Sequence, residues 1–221
     1  MSRPILIFDL DGTLVDTAPD LLKALNAVLL EEDCPEVDLA AVRHMVGRGV
    51  RALIGQAFAR TGSSRYPDHA ARLVDRFLLH YRKHLAEESR AFPGVAPVLA
   101  RLRADGVRLA VLTNKPEDMA GSLLSALHLS QFFDVISGAR VRRPDKPDAR
   151  VVASVMDGLG HPSGRAIIIG DSAVDVATAR AAQIPVILVS SGYTDKPPRD
   201  LGADEVVDAF SDLPGILNGF L

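Results

Sequence analysis

The sequence predicts an α/β protein, a doubly wound parallel sheet with a helical domain inserted after its first strand. Three observations carry this reading. Short apolar runs suited to strands buried on both faces alternate with helical segments from Phe92 onward. An isolated run of the same kind, ILIF, stands near the start. Between the two, residues 17–87 hold four helical stretches and no convincing strand.

Taken in order, residues 4–16 (PILIFDLDGTLVD) read as a buried strand that stops at a carboxylate, Asp9, followed by Asp11, Gly12 and Thr13. In the first inserted helix, Thr17 or Asp16 caps, Pro19 fits the first turn, and Leu21, Leu22, Leu25, Val28 and Leu29 recur at helical spacing. Residues 39–46 form a second helix, Gly47-Arg48-Gly49 a break, and Val50, Leu53, Ile54, Ala57 and Phe58 one face of a third. A turn at residues 61–64 precedes a fourth helix marked by Leu73, Val74, Phe77, Leu78, Tyr81 and Leu85. Strands are then expected over residues 107–113, 133–137, 166–170, 185–190 and, at an edge, 205–207. Helices are expected over 95–105, 116–129, 147–159, 173–182 and 213–217. Right-handed crossovers make such a sheet parallel. The domains are therefore residues 1–15 with 88–221 as core and 16–87 as insert, hinged near 14–16 and 87–92.

Composition narrows the class. With 221 residues, 48% of them hydrophobic, one large core or a core with a small satellite is within reach. A net charge of −3 offers no footprint for nucleic acid, and no apolar run approaches the roughly 18 residues that span a bilayer. The opening MSRPI lacks a signal-peptide pattern, so a cytoplasmic protein, monomer or homodimer, is expected. Cys34 stands alone, which excludes an intramolecular disulfide and a cysteine zinc cluster. His80 and His84 have the spacing of a zinc pair, but Tyr81 occupies the place a metalloprotease gives to Glu; a solvated helix face is the reading.

Four polar clusters carry the chemistry: Asp9 with Asp11, Thr113 with Asn114, Lys146, and the GDSAVD run with Asp171, Ser172 and Asp175. In an open α/β sheet, groups following parallel strands meet above the carboxyl edge, where ligands bind. Each cluster also has an ordinary reading. Asp11 and Gly12 suit an acidic turn, Thr113 and Asn114 suit a helix cap, and Lys146 suits a solvated basic loop with Arg140, Arg142, Arg143 and Arg150. Asp171 and Asp175 suit a helix start. Together, carboxylates, one lysine and small hydrogen-bonding groups match magnesium and a phosphoryl group.

DLDGT, TN, KP and GDSAVD, in that order, resemble the four motifs of the haloacid dehalogenase-like hydrolases, small helical cap subgroup. The resemblance spans nearly the whole chain. It implies Asp9 as nucleophile that accepts a phosphoryl group, and Asp11 as acid and base. It further implies Mg2+ held by Asp9, Asp171 and the Asp11 carbonyl, with Asp175 and Ser172 behind them. Thr113, Asn114 and Lys146 would bind the phosphoryl oxygens. Ala149 and Val174 depart from the family's proline and polar residue, and Gln183 stands where a glycine is common. If that position is left-handed, the cost is about 1–2 kcal/mol.

Asp11 argues against dehalogenases and phosphonatases, which need no carboxylic acid there, and against transport ATPases, which carry threonine and membrane spans. A phosphatase or phosphomutase acting on a small phosphoester remains. VGRGVRALI, with HMVG before it, resembles the insert loop of phosphoglycolate phosphatases. It implies an anion-reading loop made of Gly47, Arg48, Gly49 and Arg51; a plain connector is the alternative. β-Phosphoglucomutase-like, pyrophosphatase and non-catalytic binding roles stay open. Loss of Asp9, Asp11, Lys146 or Asp171 would mark the last, and all four are present.

Overall fold

A computed structural model describes residues 5–63, 66–161, 165–194, 196–217 and 219–220. Pro4 and Ser64, expected in the first strand segment and in a turn, lie outside the described residues. The chain runs β1 (Ile5–Phe8), β2 (Val15–Asp16), α1 (Ala18–Glu31), α2 (Leu39–Arg43), α3 (Val50–Arg60), α4 (Tyr66–Lys83) and β3 (Arg90–Ala91). It continues α5 (Val95–Ala104), β4 (Leu109–Pro116), α6 (Glu117–Ala126), β5 (Val135–Ala139), α7 (Arg150–Gly158) and β6 (Ala166–Gly170). It closes with α8 (Ala173–Ala182), β7 (Val186–Val189), β8 (Glu205–Val207) and α9 (Leu213–Leu217).

Six strands form one parallel sheet in the order β5-β4-β1-β6-β7-β8, the α/β architecture expected. The first strand is central because all four of its side chains are buried and both of its edges are paired. Side chains alternate across a strand. Leu6 and Phe8 accordingly pack on one face with Leu99, Leu123, Leu124 and Leu213, from α5, α6 and α9. Ile5 and Ile7 pack on the other with Val151, Val155, Val176 and Ala179, from α7 and α8. The four inserted helices hold a third cluster around Leu25, Ile54, Phe58, Phe77 and Tyr81.

Three elements differ from the expectation in ways that matter for the site. β4 does not stop at Thr113 but runs on through Asn114 and Lys115 to Pro116, pairing Pro116 with Ala139 across an irregularity. Three polar side chains thus project from a strand rather than from a loop. α2 ends at Arg43, short of Val46, so the chain from His44 to Gly49 is free to turn over the sheet edge. The two crossings into the insert also pair as an antiparallel ladder, Val15 with Ala91 and Asp16 with Arg90, and Phe92 N donates to Leu14 O at 3.0 Å. Two-residue strands have no period for sequence to display.

Buried Asp20 seals the same junction. Its carboxylate accepts from Glu88 N, Ser89 N (2.8 Å) and Ser89 Oγ (2.7 Å), tying the first turn of α1 to the returning chain. An unpaired buried donor costs about 1–3 kcal/mol, and here Asp20 satisfies several at once.

Gln183 ends α8 with φ 57° and ψ 39°, the left-handed conformation. A Gln183→Gly variant should raise stability by about 1 kcal/mol, since glycine enters this region without the side-chain penalty. Urea unfolding measures it, and an unchanged or lower midpoint would contradict the strain.

Candidate active site

The sheet order explains why the polar clusters meet. β1 lies between β4 and β6, so Asp9, just past β1, has Thr113 and Asn114 on one side and Asp171, just past β6, on the other. All four are buried.

Lys146 joins the group from the loop before α7. Its ammonium lies 3.0 Å from Asp9 Oδ2 and 2.6 Å from Asp175 Oδ1, with the lysine side chain only 2% exposed. Asn114 holds that lysine in place. Asn114 Oδ1 accepts from Lys146 N at 2.8 Å, and Nδ2 donates to Lys146 O at 3.2 Å and to Gly47 O at 3.1 Å. Both side-chain amide hydrogens are engaged, so the Asn114 side chain holds Lys146 and the insert loop. Thr113 Oγ1 accepts from Lys115 N at 3.2 Å, which leaves its own proton to donate.

Asp171 precedes α8, and Asp175 turns back along the first turn to accept from Asp171 N, Ser172 N and Ser172 Oγ at 3.2, 3.1 and 2.7 Å. With Lys146 added, the oxygens of Asp175 are fully partnered. Asp171 instead accepts from Thr13 Oγ1 at 2.8 Å and Tyr193 N at 2.7 Å. The backbone presses close around it: a Cβ on Gly12, where φ is +87°, would lie 2.4 Å from Asp171 Oδ2, and one on Gly192 would lie 2.1 Å from Asp171 Cβ.

Asp9, Asp171 and Asp175 each offer an oxygen within 4.8 Å of the others. Burial pushes the Asp9 carboxyl up to about 7, with Lys146 working against it. Burial, then Asp175 and Asp9, holds Asp171 well above the carboxylate range. For Lys146, burial works against the charge, but Asp175 and Asp9 outweigh it and raise the ammonium above its ordinary range. Four carboxyl groups, counting Asp11, crowd around two ammonium groups, Lys146 and Lys115, and the burial and mutual repulsion that raise Asp9 and Asp171 are what a divalent cation would offset. A hard oxygen set of this kind suits such a cation.

With this geometry in view, likeness to known proteins is informative. Residues 6–189 match the profile of the haloacid dehalogenase-like hydrolases. The chain belongs to that family. It is 46% identical to a phosphoglycolate phosphatase from Caulobacter vibrioides, over 95% of this chain and 88% of that one. It is 41% identical to a phosphoglycolate phosphatase from Mesorhizobium japonicum, over 96% and 94%. A crystal structure described as a predicted phosphoglycolate phosphatase from Haemophilus somnus superposes with TM-score 0.89 at 27% identity, covering 97% of both chains. The haloacid dehalogenase-like fold therefore extends over the inserted helices as well as the sheet.

Sequence reasoning passed over two further residues. Lys115, the residue after Asn114, is buried; it donates to Asp11 Oδ1 at 2.9 Å and to the Tyr81 hydroxyl at 2.6 Å. Tyr81 comes from α4 and reads in sequence only as a core position. Its adjacency to the TN pair was the available signal for Lys115; Tyr81 gave none. The Gly47-Arg48-Gly49 loop is divided. Gly47 and Gly49 line the cavity that contains Asp9 and Asp11, whereas exposed Arg48 and Arg51 line only an adjoining, wider cavity of about 790 Å³ that shares Gly49, Val50, Asn114 and Pro116 with it.

Gly12→Ala should cost both stability and turnover. A left-handed φ is strained for alanine by about 1–2 kcal/mol, and the new methyl would have to displace Asp171. Thermal unfolding together with phosphatase assay checks it; wild-type values in both would show that Asp171 tolerates the shift.

Proposed function

We propose that this hydrolase is a magnesium-dependent phosphatase of small phosphomonoesters, 2-phosphoglycolate first among them, working through a phosphoryl group carried on Asp9. The observation that carries the reading is Asp9 itself: a buried carboxylate at the end of the central strand, beside a buried ammonium and a cation-hungry group of oxygens. The names of the relatives supply the substrate.

Asp9, Asp171 and the Asp11 carbonyl would hold Mg2+, which offsets charge on the phosphoryl oxygens when bound. Lys146 adds a fixed positive charge from the side of Asp9 and Asp175. Asp9 attacks phosphorus, splitting one difficult displacement into two. Asp11 gives a proton to the departing alcohol and afterwards takes one from water; such a group typically supplies about 10²–10⁴-fold. Phosphate monoester hydrolysis can demand about 10²¹-fold, so positioning and charge contribute most of the rate. Asp175 and Ser172 act behind Asp171 and Lys146.

Residues 16–87 serve in this proposal as a cap. The cavity beneath it measures about 30 Å³, room for about two waters. Substrate entry therefore requires the cap to lift, and its return excludes water. Apolar walls from Leu21, Val46, Val50 and Leu53 leave little space for a sugar.

Phosphate release from a phosphoester panel with magnesium should be strong for 2-phosphoglycolate, fall to background with EDTA, and vanish in Asp9→Asn. Retained turnover in that variant would end the covalent mechanism. Isomer formation exceeding phosphate release, from a sugar 1-phosphate with a bisphosphate activator, would make the protein a mutase. Magnesium should also raise the unfolding temperature of the wild type by a few degrees and leave Asp171→Asn unshifted; equal shifts would place the ion elsewhere.

A further inference from the structure

The side of the cavity next to Asp11 carries a pair of donors to which the phosphoryl chemistry assigns no contact with the substrate. Lys115 and Tyr81 are each buried, at 5% and 1% exposure, and both line the cavity with Asp9 and Asp11. Burial pushes the Tyr81 hydroxyl up to about 12, so it stays protonated. The Tyr81 oxygen accepts from Lys115. Its own proton is therefore available, and among the described residues no acceptor is recorded for it.

From these contacts we infer that Tyr81, with Lys115, is the specificity determinant for an anionic group on the alcohol part of the substrate, a carboxylate one carbon from the ester oxygen. This rests on the phosphatase reading. Asp11 must reach the ester oxygen to protonate it. A lysine bonded to Asp11 at 2.9 Å and facing the same cavity accordingly faces the alcohol part, close to the ester linkage. A carboxylate there accepts one hydrogen bond from the ammonium and one from the phenol. A methyl group in its place leaves the buried phenol proton without an acceptor and Lys115 with only Asp11 and Tyr81, the situation in which a site rejects an analogue most strongly. Arg48 and Arg51 do not line this cavity, so the anion-reading role suggested by their loop passes to Tyr81 and Lys115. Tyr81 belongs to α4 and Lys115 to β4, so the donor pair is complete only when the insert rests on the sheet. The tail of the substrate thereby favours the closed arrangement.

The test compares 2-phosphoglycolate with ethyl phosphate, which has the same skeleton without the carboxylate. Wild-type kcat/KM should favour 2-phosphoglycolate by about a hundredfold or more. Tyr81→Phe should lower that ratio about tenfold, mainly through KM for 2-phosphoglycolate. Lys115→Met should lower it further while slowing both substrates, because Lys115 also positions Asp11. The ratio is read rather than either rate, so a general loss of activity does not imitate the effect. A wild type that does not discriminate overturns the inference without any variant. So does an unchanged ratio in Tyr81→Phe, or a ratio that collapses in Arg48→Ala or Arg51→Ala while Tyr81→Phe keeps it. Failure of the wild type to hydrolyse any phosphoester overturns the phosphatase reading instead.

Discussion

An ammonium group buried between two carboxylates is the interaction on which the rest depends. Lys146 touches Asp9 and Asp175 with almost no solvent in reach. Taking charges out of water costs several kcal/mol each, and removing one partner of a buried pair typically costs about 3–5 kcal/mol. The surroundings meet that cost with hydrogen bonds. Asn114 grips both backbone groups of Lys146, and Asp175 gathers three donors from the start of α8. Even so the balance is incomplete: Asp9 and Asp171 stay raised by burial and by their neighbours, and their oxygens with those of Asp175 form a group that suits a cation.

The insert bears on that centre through two contacts of different kinds. One is at the crossings, where Tyr193 links Asp171 to the start of the insert. Its N–H holds Asp171, and its hydroxyl accepts from Ala18 N and donates to Asp16, which Arg43 of α2 also engages at 3.0 Å. The other is across the cavity, where Gly47 meets Asn114 and Tyr81 meets Lys115. The first ties Asp16 and Ala18, at the entry to the insert, to Tyr193 of the core. The second joins the body of the insert to β4, and these are the contacts that the proposed cap motion would break.

Much of the fold was legible because its signals are local and repeated. Ile5–Phe8, Ala166–Gly170, Ala173–Ala182, Glu205–Val207 and Leu213–Leu217 stand as expected, since strands buried on both faces are apolar throughout and helices repeat their apolar face. Errors gathered where tertiary pairing overrides local preference. β4 extends through TNK because β5 offers a partner edge, and the β2 and β3 ladder exists only because the two crossings return to one place. Gln183 shows the converse, a departure visible in sequence whose left-handed geometry the fold retains.

By itself the sequence determined the inventory of the chemistry: spacing alone sets Asp11 two residues beyond Asp9, with Lys146 and Asp171 in further polar clusters that would converge if their strands were neighbours. Only the tertiary structure decided which side chains face the cavity. It turned Asn114 toward Lys146, set Arg48 and Arg51 outside, and brought Tyr81 down from α4 onto Lys115. The reason is physical. A motif records neighbours along the chain, whereas a cavity is formed by neighbours in space, and helix packing against the sheet selects those without leaving a pattern in either segment.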